Sequence, residues 1–258
     1  MRTAFVEKVI AAALVEDSGA SSRSWLAVCA GAEERDLFRN IGFRDVTIAN
    51  LDARLKGDEF APFRWSRENA QDLSFPDQAF DYVFVSDGLH HCASPHRALI
   101  EMYRVARKAI VVVESRDSLM VRLAERLGLA ERYEVDAVIG NDFIYGGVNN
   151  GPVPNFVYRW TERELAKTLA SFDPTGPQQV RFFYALNLPE RDNLAGRLLR
   201  LSAPAIQAAA RLFPRQCNSF AMIAHKPNGE LSLWPWLARE GDEIVFRRNY
   251  KRTLRDQT

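Results

Sequence analysis

The chain has 258 residues, with 34 Lys and Arg against 33 Asp and Glu, 47% hydrophobic residues, 14 Gly and 12 Pro. This is an ordinary globular composition, which excludes a disordered, collagenous or coiled-coil chain. A formal net charge of +1 supplies no general attraction to a polyanion, so no nucleic-acid partner is expected.

The opening stretch MRTAFVEKVIAAALVEDSG carries Glu7, Glu16 and Asp17 and reads as an amphipathic helix rather than a cleavable signal. SWLAVCA at 24–30 is a short apolar run that breaks at Gly31, and EERDLFRN after it has helical composition with acids in its first turn. Gly42 ends that helix, and DVTIANL at 45–51 is β-branched and apolar enough for the next strand. A third short strand falls near Phe63–Ser66. FDYVFVS at 80–86 is a fourth and runs into Asp87 and Gly88. Ser94 and Pro95 suit the N-cap and first position of a helix reaching about Ala106. AIVVVE at 109–114 is a fifth strand, its unbroken apolar run fitting a parallel strand covered on both faces. Such alternation predicts a doubly wound parallel sheet, which binds ligands at the carboxyl ends of its strands.

Past Glu114 the pattern loosens. A helix is expected from about Ser118 to Leu127, followed by a long segment over 136–160 and a capping box, Thr161 with Glu164, opening a helix that ends near Phe172. VRFFYAL at 180–186 and SFAMIAH at 219–225 are late strands. Between them lies an apolar, arginine-bearing segment from Leu194 to Phe213 that breaks at Pro204. No apolar run approaches the roughly 20 residues that span a bilayer. Cys29, Cys92 and Cys217 are odd in number and widely spaced, so they suggest neither a disulfide framework nor a CxxC metal site. A reducing, cytoplasmic compartment and no metal are expected.

In its first half the chain resembles the class I S-adenosylmethionine-dependent methyltransferases, in particular their small-molecule branch. That family's first strand ends in a sequence like VLDVGCGTG, where residues 25–33 read WLAVCAGAE, and an acid closes its second strand, as Asp52 does in ANLD. Its third motif reads like GDAEDLPFPDGSFD, against ENAQDLSFPDQAFD at 68–81, and SDGLHHCASPHRALIEMYRVAR resembles the segment after its fourth strand. The resemblance implies an α/β, doubly wound Rossmann-like methyltransferase fold with a mostly parallel seven-stranded sheet and one late antiparallel strand. A single domain over 1–258 is expected. Residues 1–114 would form its cofactor-binding half, and 115–258 an acceptor side with a lid loop at 136–160, an amphipathic insertion at 192–215 and a basic tail at 244–258. The cofactor implied is S-adenosyl-L-methionine, with S-adenosyl-L-homocysteine as product and a small molecule as acceptor.

Each position has a physical reason beside the resemblance. Gly31 admits close backbone approach, and the helix after it presents free N–H groups, so Cys29, Ala30, Gly31, Ala32 and Glu33 are cofactor candidates. Ionised Asp52 can accept from two ribose hydroxyls. Asn69, Ala70 and Gln71 offer backbone and amide groups to an adenine edge. Ser86 and Asp87 lie at the mouth of the fourth strand, under the sulfonium end. The departures are equally specific: the family's first-strand acid is Ala27, its first glycine is Cys29 and its third is Glu33. Glu33 or Glu34 is either a replacement anion for the methionine amino group or ordinary charge at a helix N-terminus. A nicotinamide enzyme is disfavoured, because Cys29 and Glu34 occupy two of the three glycine positions of GxGxxG.

Methyl transfer needs alignment first and a base only where the acceptor must lose a proton. His91 is the catalytic candidate and His90 a substrate-binding one. The competing reading is that these histidines orient substrate or cap the loop. Gly146, Gly147, Asn149, Asn150 and Gly151, set among Tyr145, Tyr158 and other aromatics, suit either a lid over an acceptor or a structural loop. Arg159 would hold an anionic acceptor group or lie on the surface. Leu194, Leu198, Leu199 and Leu201, with Arg197 and Arg200 beside them, suit either contact with an anionic membrane or packing on the domain. Three functions are open to such a chain: a methyltransferase of a small molecule, such as a sugar or lipid-linked precursor; a non-catalytic methyltransferase-like binding domain; or a membrane-peripheral methyltransferase of a lipid intermediate. Oligomeric state is open.

Overall fold

A computed structural model describes residues 2–17, 19–188, 194–227 and 233–251, of which residue 2 and residues 194–201 are described by their backbone alone. In chain order the elements are α1 (Arg2–Glu16), β1 (Ser24–Ala27), α2 (Ala32–Ile41), β2 (Asp45–Asn50), β3 (Arg64–Arg67), β4 (Phe80–Ser86), α3 (Pro95–Val105) and β5 (Ala106–Ser115). They continue as α4 (Leu119–Arg126), α5 (Val135–Ile139), α6 (Glu162–Phe172), β6 (Gln179–Ala185), α7 (Leu194–Leu212), β7 (Ser219–His225), β8 (Leu237–Glu240) and β9 (Glu243–Phe246).

Seven strands form one sheet in the order β3-β2-β1-β4-β5-β7-β6. β7 runs antiparallel to both β5 and β6, and the pairings among β3, β2, β1, β4 and β5 are parallel. This is the expected α/β, Rossmann-like architecture with one late antiparallel strand. Strand order reverses between β1 and β4, and it is there, beyond the carboxyl ends, that a crevice opens.

Alternating strand residues build two cores. On one face Trp25, Ile48, Tyr82, Phe84 and Val111 pack under α1 and α2, which contribute Phe5, Val9, Ile10, Leu37 and Phe38. Trp25 stacks on Tyr82 with ring centroids 4.5 Å apart. Burial of Phe5, Val6, Val9, Ile10 and Ala13 shows α1 to be the amphipathic helix expected. On the other face Leu26, Val83, Val85, Ile110 and Val112 pack against Leu99, Met102 and Tyr103 of α3 and Leu165 and Leu169 of α6. Apolar faces at helical spacing thus meet apolar faces at strand spacing, the main source of stability in such a fold.

Several boundaries differ from expectation for local reasons. β1 stops at Ala27 because Cys29 takes a left-handed φ of 53° and turns the chain out of the sheet. At α6 the capping box is half formed: Thr161 Oγ1 accepts from Glu164 N at 3.2 Å, and the Glu164 carboxylate turns instead to His96 and Tyr158. α7 continues through Pro204 rather than breaking there, although proline removes one backbone donor. The face expected from Leu194 to Leu201 lies outside the described side chains. β8 and β9 form a two-stranded hairpin that begins before the basic tail expected at 244–258 and ends inside it, and 252–258 lie outside the described residues.

Candidate active site

Four strand ends converge on one cavity of about 230 Å³ lined by Cys29 after β1, Asn50 at the end of β2 and Asp52 beyond it, Glu68, Asn69 and Ala70 after β3, and Asp87, Gly88, His91 and Cys92 after β4. Its remaining wall comes from the 136–160 segment, through Gly146, Gly147, Asn149 and Asn150. Tight geometry sets the β1 and β4 ends. Cys29 and Asp87 both adopt left-handed backbone, at φ 53° and 44°. A Cβ on Gly88 would stand 2.5 Å from Cys29 Cβ, so only glycine fits between the two turns.

Asp52 is 9% exposed and sits where ribose hydroxyls are expected. Its carboxylate is gripped by Arg54, with Nε 3.0 Å from each oxygen and Nη2 at 2.6 Å, and this guanidinium holds its pKa below the usual range. Arg54 also reaches Asn141 Oδ1 at 3.2 Å and lies 4.1 Å from the centre of the Tyr145 ring. Gln71 is committed between elements: Nε2 donates to Asn149 Oδ1 at 2.8 Å, and Oε1 accepts from Ser94 N at 2.7 Å. The 136–160 segment is therefore tied down on both sides of the cavity.

His90 and His91 lie in a short 3-10 turn, Leu89–His91, directly after Gly88. Glu114 near the end of β5 is fully buried. One of its oxygens accepts from Leu89 N at 2.7 Å and the other lies 3.0 Å from His90 Nδ1. Glu134 approaches from the far side, 3.3 Å from His90 Nε2 and 3.3 Å from His91 Nε2. It is placed by a backbone bond from Glu134 N to Asn155 O and by Asn155 Nδ2 at 3.1 Å. Burial opposes the charge on His90, but Glu114 and then Glu134 outweigh it and raise its pKa to about 10. His91 moves the other way, lowered by burial and by the charge on His90, so its ring is neutral at neutral pH. Burial would raise the Glu134 pKa, but the hydrogen bond and the charge of His90 outweigh it and bring it down to about 2.

The structure brings Cys29, Asp52, Asn69, Ala70, Asp87 and His91 together at the cavity. Ala30 is buried beneath it, while Ala32 and Glu33 are exposed and do not line it. Gly31 has an extended backbone, and its N–H donates to Glu34 Oε2 at 2.8 Å, so Glu34 serves the helix terminus. Ser86 is the last residue of β4. His90 lies behind the wall with Glu114. Tyr145 reaches the rim through Arg54. Tyr158 and Arg159 face away: the Tyr158 hydroxyl donates to Glu164, and Arg159 pairs with Glu125 and donates to Glu131 O at 2.7 Å. Sequence reasoning missed Arg54, Glu68, Glu114 and Glu134. Glu114 carried a signal, being an acid at the carboxyl end of an otherwise apolar strand. Glu134 carried none.

Residues 30–113 match a family model described as a methyltransferase domain. The fold is similar to that of magnesium protoporphyrin IX methyltransferase from Synechocystis PCC 6803 with bound S-adenosylhomocysteine, at 12% identity over 86% of this chain and 82% of that one, with a TM-score of 0.53. It also resembles the PH0226 protein of Pyrococcus horikoshii OT3 (13% identity, 85% and 88% covered, TM-score 0.51). The YcgJ protein of Bacillus subtilis is a third (15%, 81% and 94%, TM-score 0.50). No curated protein matches the sequence. Residues 30–113 thus match a methyltransferase domain, and the fold is similar to that of S-adenosylmethionine-dependent methyltransferases. The S-adenosylhomocysteine bound in the Synechocystis neighbour is the product form of S-adenosyl-L-methionine.

The cavity fits that group at its ribose and adenine ends, where Asp52 supplies a carboxylate at one strand end and Asn69 and Ala70 line the wall at the next. At the methionine end the acid of the first strand is missing, since Ala27 is fully buried in the core. Asp87 is the carboxylate that lines the cavity there.

Proposed function

We propose that the chain is an S-adenosylmethionine-dependent methyltransferase of a small molecule. The observation that carries this reading is the convergence of Cys29, Asp52, Asn69, Ala70, Asp87 and His91 on one cavity at the strand-order reversal. Asp52 binds the ribose diol, the backbone at Asn69 and Ala70 receives the adenine, and Asp87 attracts the cationic methionine end. Bound there, the cofactor supplies an electrophilic methyl group. His91 faces the acceptor and, being neutral, is able to take a proton from it.

The 136–160 segment is the lid in this reading. A volume of about 230 Å³ falls below the roughly 300–1,000 Å³ of ordinary ligand pockets, so the lid lifts to admit the cofactor and closes over it. Titration calorimetry with S-adenosylmethionine and S-adenosylhomocysteine tests the reading. One site per chain is expected for each, and no binding of either at millimolar concentration would favour a non-catalytic, methyltransferase-like binding domain.

A lipid-linked acceptor at a membrane surface is favoured by a second observation. Leu119, Met120, Leu123 and Leu127 of α4 and the turn after it, with Phe143 and Ile144 of the lid segment, are 49–70% exposed. Exposed apolar side chains on this scale mark interaction surfaces. No helix among the described residues is long and apolar enough to cross a membrane. Flotation with anionic liposomes is expected to carry the wild-type chain and not a Leu119→Ser, Leu123→Ser, Leu127→Ser variant. Failure of the wild type to float removes this reading and leaves a water-borne acceptor.

A further inference from the structure

The groups around His90 form an arrangement that neither methyl transfer nor cofactor binding requires. Three potential ligand atoms, one each from His90, His91 and Glu134, lie within 4.8 Å of one another, and both histidine Nε2 atoms stand 3.3 Å from a Glu134 oxygen. Ligands about 2.1 Å from a tetrahedral ion are themselves about 3.4 Å apart. Each histidine thus stands at a ligand-to-ligand distance from one of the two Glu134 oxygens, and one atom from each of the three residues falls within the span that a shared ion can bridge.

We infer that His90 Nε2, His91 Nε2 and Glu134 form a three-ligand site for one divalent cation of the zinc class, with its open coordination position toward the cavity. Two further features support this. The Nδ1 of His90 lies 3.0 Å from buried Glu114, which is itself fixed by Leu89 N. A histidine that ligates a metal characteristically gives its other ring N–H to such a carboxylate, which sets the tautomer and strengthens the ligand. Charge gives the second. Glu114 and Glu134 have ion-pair contacts only with these two histidines among the described residues, and Asp87 has a carboxylate oxygen within 4.8 Å of ligand atoms of His90 and Glu114. One proton on His90 offsets one carboxylate, whereas a divalent ion offsets two. Beside Glu134, the amide oxygen of Asn155 is buried without a hydrogen-bond partner, a further sign of unmet polar demand.

Two imidazoles and one carboxylate suit zinc, iron(II) or manganese(II) far better than magnesium, which prefers an all-oxygen shell. In the cation-bound form His91 is a ligand, and the ion takes its place beside the acceptor. The site is independent of the cofactor reading: a chain that binds zinc and not S-adenosylmethionine would keep the one and lose the other.

The test is calorimetric titration of chelator-treated protein with zinc chloride and magnesium chloride, with visible absorption after cobalt(II) loading as a second readout. One zinc per chain is expected, no heat from magnesium, and the cobalt bands of a low-coordinate nitrogen and oxygen site. Glu134→Gln, at a position on the accessible side of the cluster, and His91→Ala should each weaken zinc binding by about tenfold or more. The double variant Cys29→Ser, Cys92→Ser, which removes the two thiols lining the same cavity, should bind zinc as the wild type does. The inference is overturned by absence of stoichiometric zinc binding, by unchanged affinity in Glu134→Gln, or by loss of the ion in the cysteine variant.

Discussion

Asp52→Ala is expected to weaken S-adenosylmethionine binding by about a hundredfold while leaving the fold intact. An ionised carboxylate that accepts from two ribose hydroxyls makes two charge-assisted hydrogen bonds, each about 1.5–3 kcal/mol. Part of that is already balanced by Arg54 in the free protein, so a net loss of about 3 kcal/mol, or roughly two decades in Kd, is expected. The effect on folding is small, because the Arg54 side chain is 45% exposed and such pairs contribute little. Calorimetry supplies the affinity and thermal unfolding the control. Unchanged affinity in a folded variant would place the ribose elsewhere.

Glu114→Ala should be the most destabilising single change near the site, lowering the free energy of unfolding by about 3–5 kcal/mol. The carboxylate is fully buried, receives Leu89 N and faces His90. Truncation leaves a backbone donor unpaired and an imidazole beside an empty volume. For a chain of this length the loss corresponds to roughly 10 °C in Tm. Glu114→Gln keeps an acceptor for Leu89 N and should lose markedly less. Urea unfolding of the three proteins compares them directly, and a change under about 1 kcal/mol for Glu114→Ala would mean that the group is held by its surroundings rather than holding them.

The parts of the fold that sequence reasoning reached are those in which one apolar period dominates. The runs at 80–86 and 219–225 coincide with β4 and β7, and the unbroken VVV of β5 reported its burial on both faces. The β8–β9 hairpin escaped because its strands are short and largely exposed, with no buried face to impose a period. At the site, Asp52 and Asp87 were legible because they end strands whose direction was known. Tyr158 and Arg159 were misplaced for the opposite reason. A loop with aromatics has no period, and whether its side chains turn inward depends on partners such as Glu164 and Glu125 elsewhere in the chain. Glu134 lies twenty residues from the nearer acid of its cluster, Glu114. Only the pairing of residues 132–134 with 155–157 carries it to the histidines.

The contact between residues 29 and 88 alters how the depleted glycine motif is understood. Where the related domains have a glycine after the first strand, this chain has a cysteine, and the room for its side chain is provided across the sheet by Gly88, whose missing Cβ would otherwise lie 2.5 Å away. The two positions pack as one unit, the Cys29 side chain filling space that a Cβ at position 88 would enter. A sequence scored position by position registers the first change as decay and overlooks its partner. Taken as a pair, Cys29 and Gly88 place a thiol side chain in the cavity wall while the two strand ends stay close enough to exclude a Cβ at position 88.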